Sequence, residues 1–188
     1  MRPPLMIKWF WQTREVSKLR DGNTGIKNAC FLFLIGLMLC TMIICIKPVI
    51  VQGSSMNDTL QENNYLLVNK LAYKNAEHPE YGDIIVFSST ITNGDFLIKR
   101  VIGVEGDEIR IQDGEVYRNN ELLCEDYVDA FTDGCLVSII PDNKVFVMGD
   151  NRPCSLDSRS SEVGLVSEEN ILGKVAIRLF PFDKIERF

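Results

Sequence analysis

Histidine is nearly absent from this chain. One residue in 188, His78, is all there is, and that scarcity excludes several chemistries. A Ser-His-Asp triad would have to use His78. It lies in the turn His78-Pro79-Glu80-Tyr81-Gly82-Asp83, with no triad-like context, and reads as a surface residue. No H-E-x-x-H occurs, and no paired Cys/His spacing suggests zinc. Neither a metal nor another cofactor is expected. The sequence also lacks repeats and low-complexity tracts.

Basic charge is scarce outside one region. Residues 1–28 hold six of the 20 basic residues (Arg2, Lys8, Arg14, Lys18, Arg20, Lys27) and two of the 26 acidic ones, which leaves 14 basic and 24 acidic residues for the rest. A basic head therefore precedes an acidic body. Such a body argues against nucleic acid as a partner, because that binding runs on cationic contacts to phosphate.

What is present is a long apolar run. Residues 29–46 read ACFLFLIGLMLCTMIICI, without a charge. Eighteen residues rise about 27 Å as a helix, close to the thickness of a bilayer core. The run is long for a cleaved secretory signal, and no A-x-A site follows it. The expected arrangement is a cytoplasmic basic segment over 1–28, a single uncleaved transmembrane helix over 29–47 and a body over 48–188. The basic cluster places the N-terminus in the cytoplasm and the body outside the cell membrane. Trp9, Phe10 and Trp11 suit either the cytoplasmic interface or a short amphipathic helix.

The body reads as mainly β. Strands are expected over 64–70, 84–87, 96–104, 144–148 and 174–180, with a hairpin of 108–112 and 115–118 around Asp113-Gly114. Residues 122–140 are acidic and poorly periodic. A helical turn capped by Ser167 is expected over 166–171. At 188 residues one domain with a small insert is the natural size.

Two stretches carry chemistry. Val51-Gln52-Gly53-Ser54-Ser55-Met56 places adjacent serines after a glycine just past the apolar run. Phe96-Leu97-Ile98-Lys99-Arg100-Val101-Ile102 embeds a lysine among apolar residues. With histidine unavailable, Ser55 is read as a nucleophile and Lys99 as its general base. Burial disfavours an ammonium, so an apolar setting lowers a lysine's pKa toward neutrality.

At these residues the chain resembles the type I signal peptidases, membrane-anchored Ser/Lys proteases. Four blocks stand in the family's order: V-x-G-x-S-M-x-x-T-L around Ser55, G-D-I-I-V-F over 82–87, I-K-R-V-I-G-x-x-G-D over 98–107, and M-G-D-N-R-x-x-S-x-D-S-R over 148–159. The resemblance implies a coiled antiparallel β-sheet catalytic domain with a small inserted β region, about residues 110–142. It implies that Ser155 orients the Lys99 amine by a hydrogen bond. Arg100, Asp150, Asp157 and Arg159 would pair charges to hold the last loop under the site. Val49, Val51, Met56, Leu97 and Ile98 would line the substrate-binding face. The oxyanion would rest on backbone N–H groups, since Gly53 stands where some members carry a serine. Asp58 stands where proline is usual, and could cap a helical turn from Thr59.

The implied partners are signal peptides of secretory precursors, cut after small-x-small, and the lipid bilayer; a monomer is expected. Cys30, Cys40 and Cys45 read as apolar residues of the membrane segment. Whether Cys124 and Cys135 pair is left open, and Cys154 shows no thiolate-stabilising partner. Two other readings share parts of the pattern: a repressor-type Ser/Lys autoprotease, and a membrane-anchored β module that binds without catalysis.

Overall fold

The computed structural model of the chain describes residues 6–57, 59–74, 77–89 and 96–188. The expected cap at Asp58 lies outside them. The chain divides into two units, 1–44 and 45–188.

The first unit is helical. Helix α1 runs Met6–Cys45, and within it Gly25–Cys45, 21 residues, is long and apolar enough to cross a membrane. It begins well before residue 29 and stops at Cys45 rather than Lys47. The stop has a local cause. Pro48 has no N–H to donate and disfavours the helical conformation at Lys47. Residues Ile46–Ile50 instead form strand β1, so Val49 and Ile50 belong to the body and do not prolong the span.

The body is built of antiparallel strands. After β1 come β2 (Tyr65–Asn69), β3 (Ile84–Ser88), β4 (Phe96–Gly103), β5 (Glu108–Gln112), β6 (Glu115–Arg118), β7 (Glu121–Leu122), β8 (Leu136–Ile139), β9 (Lys144–Met148), β10 (Val166–Ser167), β11 (Ile171–Phe180) and β12 (Glu186–Arg187). The larger sheet has the order β1-β2-β11-β3-β4-β9-β10, with β12 also paired to β11; the smaller one is β7-β6-β5-β8.

The core explains the continuous apolar runs. Ile84 and Val86 of β3 pack with Val51, Met56, Leu60, Leu66, Val68 and Val175 on one face. Ile85 and Phe87 pack with Val101, Val145, Val147 and Val166 on the other. A strand buried on both sides shows no alternation.

The inserted region grows out of β4. The β4–β9 register shifts between Val101 and Gly103, a local irregularity of the kind that bends a strand. Beyond it Ile102 joins the insert's core of Ile109, Ile111, Val116, Ile140, Phe146 and Met148. A Cβ on Gly103 would press into Ile140 and Ile109 at 2.5–2.8 Å, so glycine permits this close junction. Asp107 pins it by accepting from the Val104 N–H (2.9 Å), Arg118 Nε (2.7 Å) and Asn119 Nδ2 (2.7 Å).

The hairpin turns at Asp113 and Gly114, with φ of 54° and 86°, the positive values a two-residue turn requires. The smaller sheet begins at Glu108, and the poorly periodic stretch 122–140 holds its last strand, β8. Its alternation is masked because Val137 and Ile139, on its outward face, are exposed apolar residues. The helical turn expected over 166–171 with a Ser167 cap is instead the two-residue strand β10 followed by a single 3-10 turn over Glu168–Asn170, without a side-chain cap. All six cysteines are free thiols, so Cys124 and Cys135 are not paired.

Candidate active site

The Ser55 loop is tied at its base and pinned by apolar anchors. Val51 N–H donates to Asn64 O (2.9 Å) and Asn63 N–H to Val51 O (3.0 Å), which closes the loop. Val51, Met56 and Leu60 are buried and hold it on the core. Asn57 N–H to Ser54 O (3.1 Å) and Leu60 N–H to Met56 O (2.7 Å) tighten the turn around Ser55. Gly53 has φ of +83° with open space where a Cβ would stand. Its backbone, not crowding, favours glycine there.

Lys99 comes from β4, opposite Ile85 of β3. Only 3% of it is exposed. Its Nζ donates to Ser55 Oγ at 2.7 Å and to Ile98 O at 3.1 Å. Burial pushes its pKa down to about 8, against an upward pull from the carboxylates of Asp157 and Asp150. The expected Ser155–Lys99 hydrogen bond is absent from this geometry. Ser155 Oγ is buried without a partner among the described residues and lies against Gly149, where a Cβ would collide with it.

The last loop, over 149–159, closes under the pair. Arg100 grips Asp150 with two bonds, Nε to Oδ1 at 2.9 Å and an Nη to Oδ2 at 2.7 Å. Asp150 is buried, so losing either partner of this pair would strand a charge at a cost of about 3–5 kcal/mol. Arg159 binds Asp157 at 2.8 and 3.0 Å and also donates to Arg152 O at 2.7 Å. Asp157 in turn accepts from the Gly149 N–H at 3.0 Å. Asn151 donates from its backbone to Ser55 O (3.1 Å) and from its side chain to Ser54 O (3.0 Å).

A cleft of about 200 Å³ opens beside the pair, and Val49, Val51, Met56, Leu97 and Ile98 all line it, with Gly53 and Phe96. Two strand edges face no strand partner there among the described residues. β1 ends the larger sheet. On β4, β9 pairs only with residues 100–103, which leaves one edge of 96–99 open. His78 lies elsewhere. Its Nδ1 is 2.9 Å from Glu168 Oε2, and that hydrogen bond and charge raise its pKa.

Sequence reading passed over several residues that the geometry brings in. Thr59 Oγ1 donates to Asp150 (2.5 Å), and Arg178 donates to Thr59 O (2.5 Å). Asn151 and Arg152 stand inside a block that had been noted only for its acids, Ser155 and Arg159. Glu125 and Tyr127 lie in the acidic stretch, where no local signal marks them.

A serine bonded to a dry lysine, beside open strand edges that an extended chain could join, is the arrangement of a peptide-cleaving serine enzyme. The model of the family described as signal peptidase, peptidase S26, matches residues 26–180. A probable signal peptidase I-2 of Synechocystis is 37% identical over 143 residues, which span 72% of this chain and 63% of that protein. Signal peptidase I U of Bacillus subtilis is 32% identical over 94% of this chain and 97% of its own length. Signal peptidase IB of Staphylococcus aureus is 33% identical over 82% and 85%. A crystal structure of a signal peptidase I from Enterococcus faecalis aligns with a TM-score of 0.47 and 30% identity, over 53% of this chain and 98% of that one. The chain belongs to the signal peptidase family, peptidase S26, as a serine endopeptidase of the signal peptidase I type.

The electrostatics of Lys99 can be read directly. An NMR titration of its side chain should give a midpoint near pH 8, well below the ordinary lysine value of about 10.4. Asp157→Asn removes an upward pull and should move that midpoint lower still. A midpoint at the ordinary value would mean that the amine is solvated.

Proposed function

We propose that this chain removes N-terminal signal peptides from exported precursors, with Ser55 as nucleophile and Lys99 as general base. The observation that carries the reading is the 2.7 Å contact between a buried lysine and a serine facing the cleft. With the amine neutral, Lys99 takes the Ser55 hydroxyl proton as Oγ bonds to the scissile carbonyl carbon. The backbone N–H of Ser55 stabilises the oxyanion. Lys99 then passes its proton to the leaving amine as the C–N bond breaks, which leaves the signal peptide esterified to Ser55. Water, deprotonated by Lys99, attacks that ester and frees the signal peptide's carboxylate and the serine. A pKa of about 8 keeps a minority of the lysine neutral at pH 7. Ser155, Arg100, Asp150, Asp157 and Arg159 support this pair through the contacts described above.

Ser55→Ala and Lys99→Ala should each abolish cleavage of a precursor while circular dichroism stays unchanged. Lys99→Arg should be equally inactive, because a guanidinium keeps its proton in proteins. For the active enzyme kcat/KM should rise with pH through about 8 and then level off, since the deprotonated lysine is the working form. Turnover by Ser55→Ala would refute the assignment.

Strand addition at the two open edges would present alternate residues of an extended substrate to the cleft. Residues −1 and −3 before the cut then point at Val49, Val51, Met56, Leu97 and Ile98. The space beside them is small, and a clash discriminates more sharply than a missing methylene. A precursor series varied at −3, −2 and −1 should show cutting after Ala-x-Ala, tolerance at −2 and rejection of Phe or Lys at −1. Efficient cutting after a bulky −1 residue would refute the assignment of the five lining residues.

For topology we take the segment before the apolar helix as cytoplasmic, the helix ending at Cys45 as the membrane span and the body after it as the extracytoplasmic catalytic domain, working as a monomer. The basic excess before the apolar run supports this orientation. It suits the task, because Ser55 follows Cys45 by ten residues and so lies at most about 35 Å from the end of the span. A precursor's cleavage site also emerges beside the bilayer, and sharing the membrane raises effective concentration. Protease added to wall-stripped cells should digest the body and spare the N-terminal segment; a protected body would reverse the orientation.

A further inference from the structure

The inserted region sends one segment back toward the catalytic loop, and its contacts are with buried groups. Arg152 is the largest fully buried side chain of the body, at 2% exposure. Its guanidinium is divided between two parts of the fold. Toward the catalytic loop, Nε donates to Gly149 O at 3.1 Å. Toward the insert, one Nη donates to Thr132 Oγ1 at 2.7 Å and the other to Glu125 Oε1 at 2.6 Å. Thr132 is tied to the hairpin tip by its own N–H, which donates to Gly114 O at 3.0 Å. Glu125 also accepts from the Tyr127 hydroxyl at 2.7 Å. The Tyr127 ring lies 3.9 Å from the Arg100 guanidinium that grips Asp150. One short segment thus reaches two of the three arginines that brace the catalytic loop, Arg152 and Arg100.

We propose that Glu125 is a positioning residue for the cleavage reaction, holding the 149–152 turn, and through it Ser55, by its ion pair with Arg152. The proposal rests on Ser55 being the nucleophile. The turn touches the Ser55 backbone directly. Asn151 donates to Ser55 O and Ser54 O, and Gly149 lies so close to Ser55 O that a Cβ there would overlap it. Lys99 is placed separately, by strand β4, where it pairs with Ile85 of β3. A shift of the turn therefore changes the Ser55–Lys99 geometry rather than carrying both residues along. Removing Glu125 leaves a buried guanidinium without its counter-charge, and the turn must move to hydrate it. The walls of the cleft, residues 49–53 and 96–99, receive none of the contacts described for this segment. The loss should therefore fall on the chemical step and not on substrate binding.

The test uses the full chain in detergent with a precursor substrate, and Ser55→Ala as a parallel control. Glu125→Ala should lower kcat about ten- to a hundredfold, the scale of a small misplacement of reacting groups, with KM nearly unchanged. Glu125→Gln should recover only part of that loss, because its amide oxygen still accepts from Arg152 and Tyr127 but brings no charge to balance the guanidinium. The double variant Glu125→Ala/Arg152→Ala should be no slower than Arg152→Ala alone, since both act through one contact. Counting active molecules by covalent labelling of Ser55 separates positioning from simple loss of folded enzyme. Positioning leaves the count intact and slows each molecule. If Glu125→Ala does not fold, Glu125→Asp carries the test, with the carboxylate one methylene short and the same fall in kcat expected. Unchanged kcat, a loss confined to KM, a reduced count with normal turnover per molecule, or fully additive effects of the two substitutions would each overturn the proposal. Cleavage by Ser55→Ala would instead overturn the nucleophile assignment beneath it.

Discussion

The structure turns on keeping one amine dry. Lys99 can exchange protons near neutral pH only if burial outweighs the carboxylates around it. Two of these, Asp150 and Asp157, pull its pKa upward. Each is claimed by an arginine, Arg100 or Arg159, with paired hydrogen bonds. The arginines thus do more than brace a loop. They occupy the acidic oxygens that would otherwise favour the lysine's charged form. Buried ion pairs add little net stability, so their value here lies in where they hold charge.

The same groups also set distances. Asp157 accepts from the Gly149 N–H, and Gly149 fits against the Ser55 carbonyl and the Ser155 side chain. Asp150 receives Thr59 from the far end of the Ser55 loop. The Ser55 loop is therefore fastened on both sides of Ser55, by Asn151 on one and Thr59 on the other. Charge control and positioning share one set of side chains.

The scaffold leaves room for a substrate by what it does not pair. β9 meets β4 only beyond Lys99, and β1 ends its sheet. The irregularity between Val101 and Gly103 turns the rest of β4 toward the insert. One strand thereby supplies a wall of the cleft at its start, the lysine in its middle and the root of the insert at its end. Its long apolar run is legible in the sequence; that it serves three regions is not.

Local chemistry was enough for much of this protein. Apolar runs bounded by Gly, Asp, Asn and Pro marked most strands of the body, and Asp113-Gly114 marked the hairpin, because a two-residue turn needs positive φ at both positions. The single histidine and the embedded lysine single out Ser55 and Lys99 as a candidate pair, and the fold brings the two side chains to 2.7 Å. Hydropathy continues past Cys45, but Pro48 ends the helical backbone, so the helix stops two residues short of Lys47. Strand β8 was hidden because its outward residues are apolar. Other features depend on residues far apart in the chain. Asp150 reaches Thr59 across 91 positions, Lys99 reaches Ser55 across 44, and Arg152 reaches Glu125 across 27. Side-chain periodicity records which face of an element is buried, but not which distant element covers it. The sequence by itself thus determined the elements and the reactive residue types. Only the tertiary structure decided that Lys99 is desolvated, that Ser155 makes no hydrogen bond to it, and that the insert reaches the 149–159 loop.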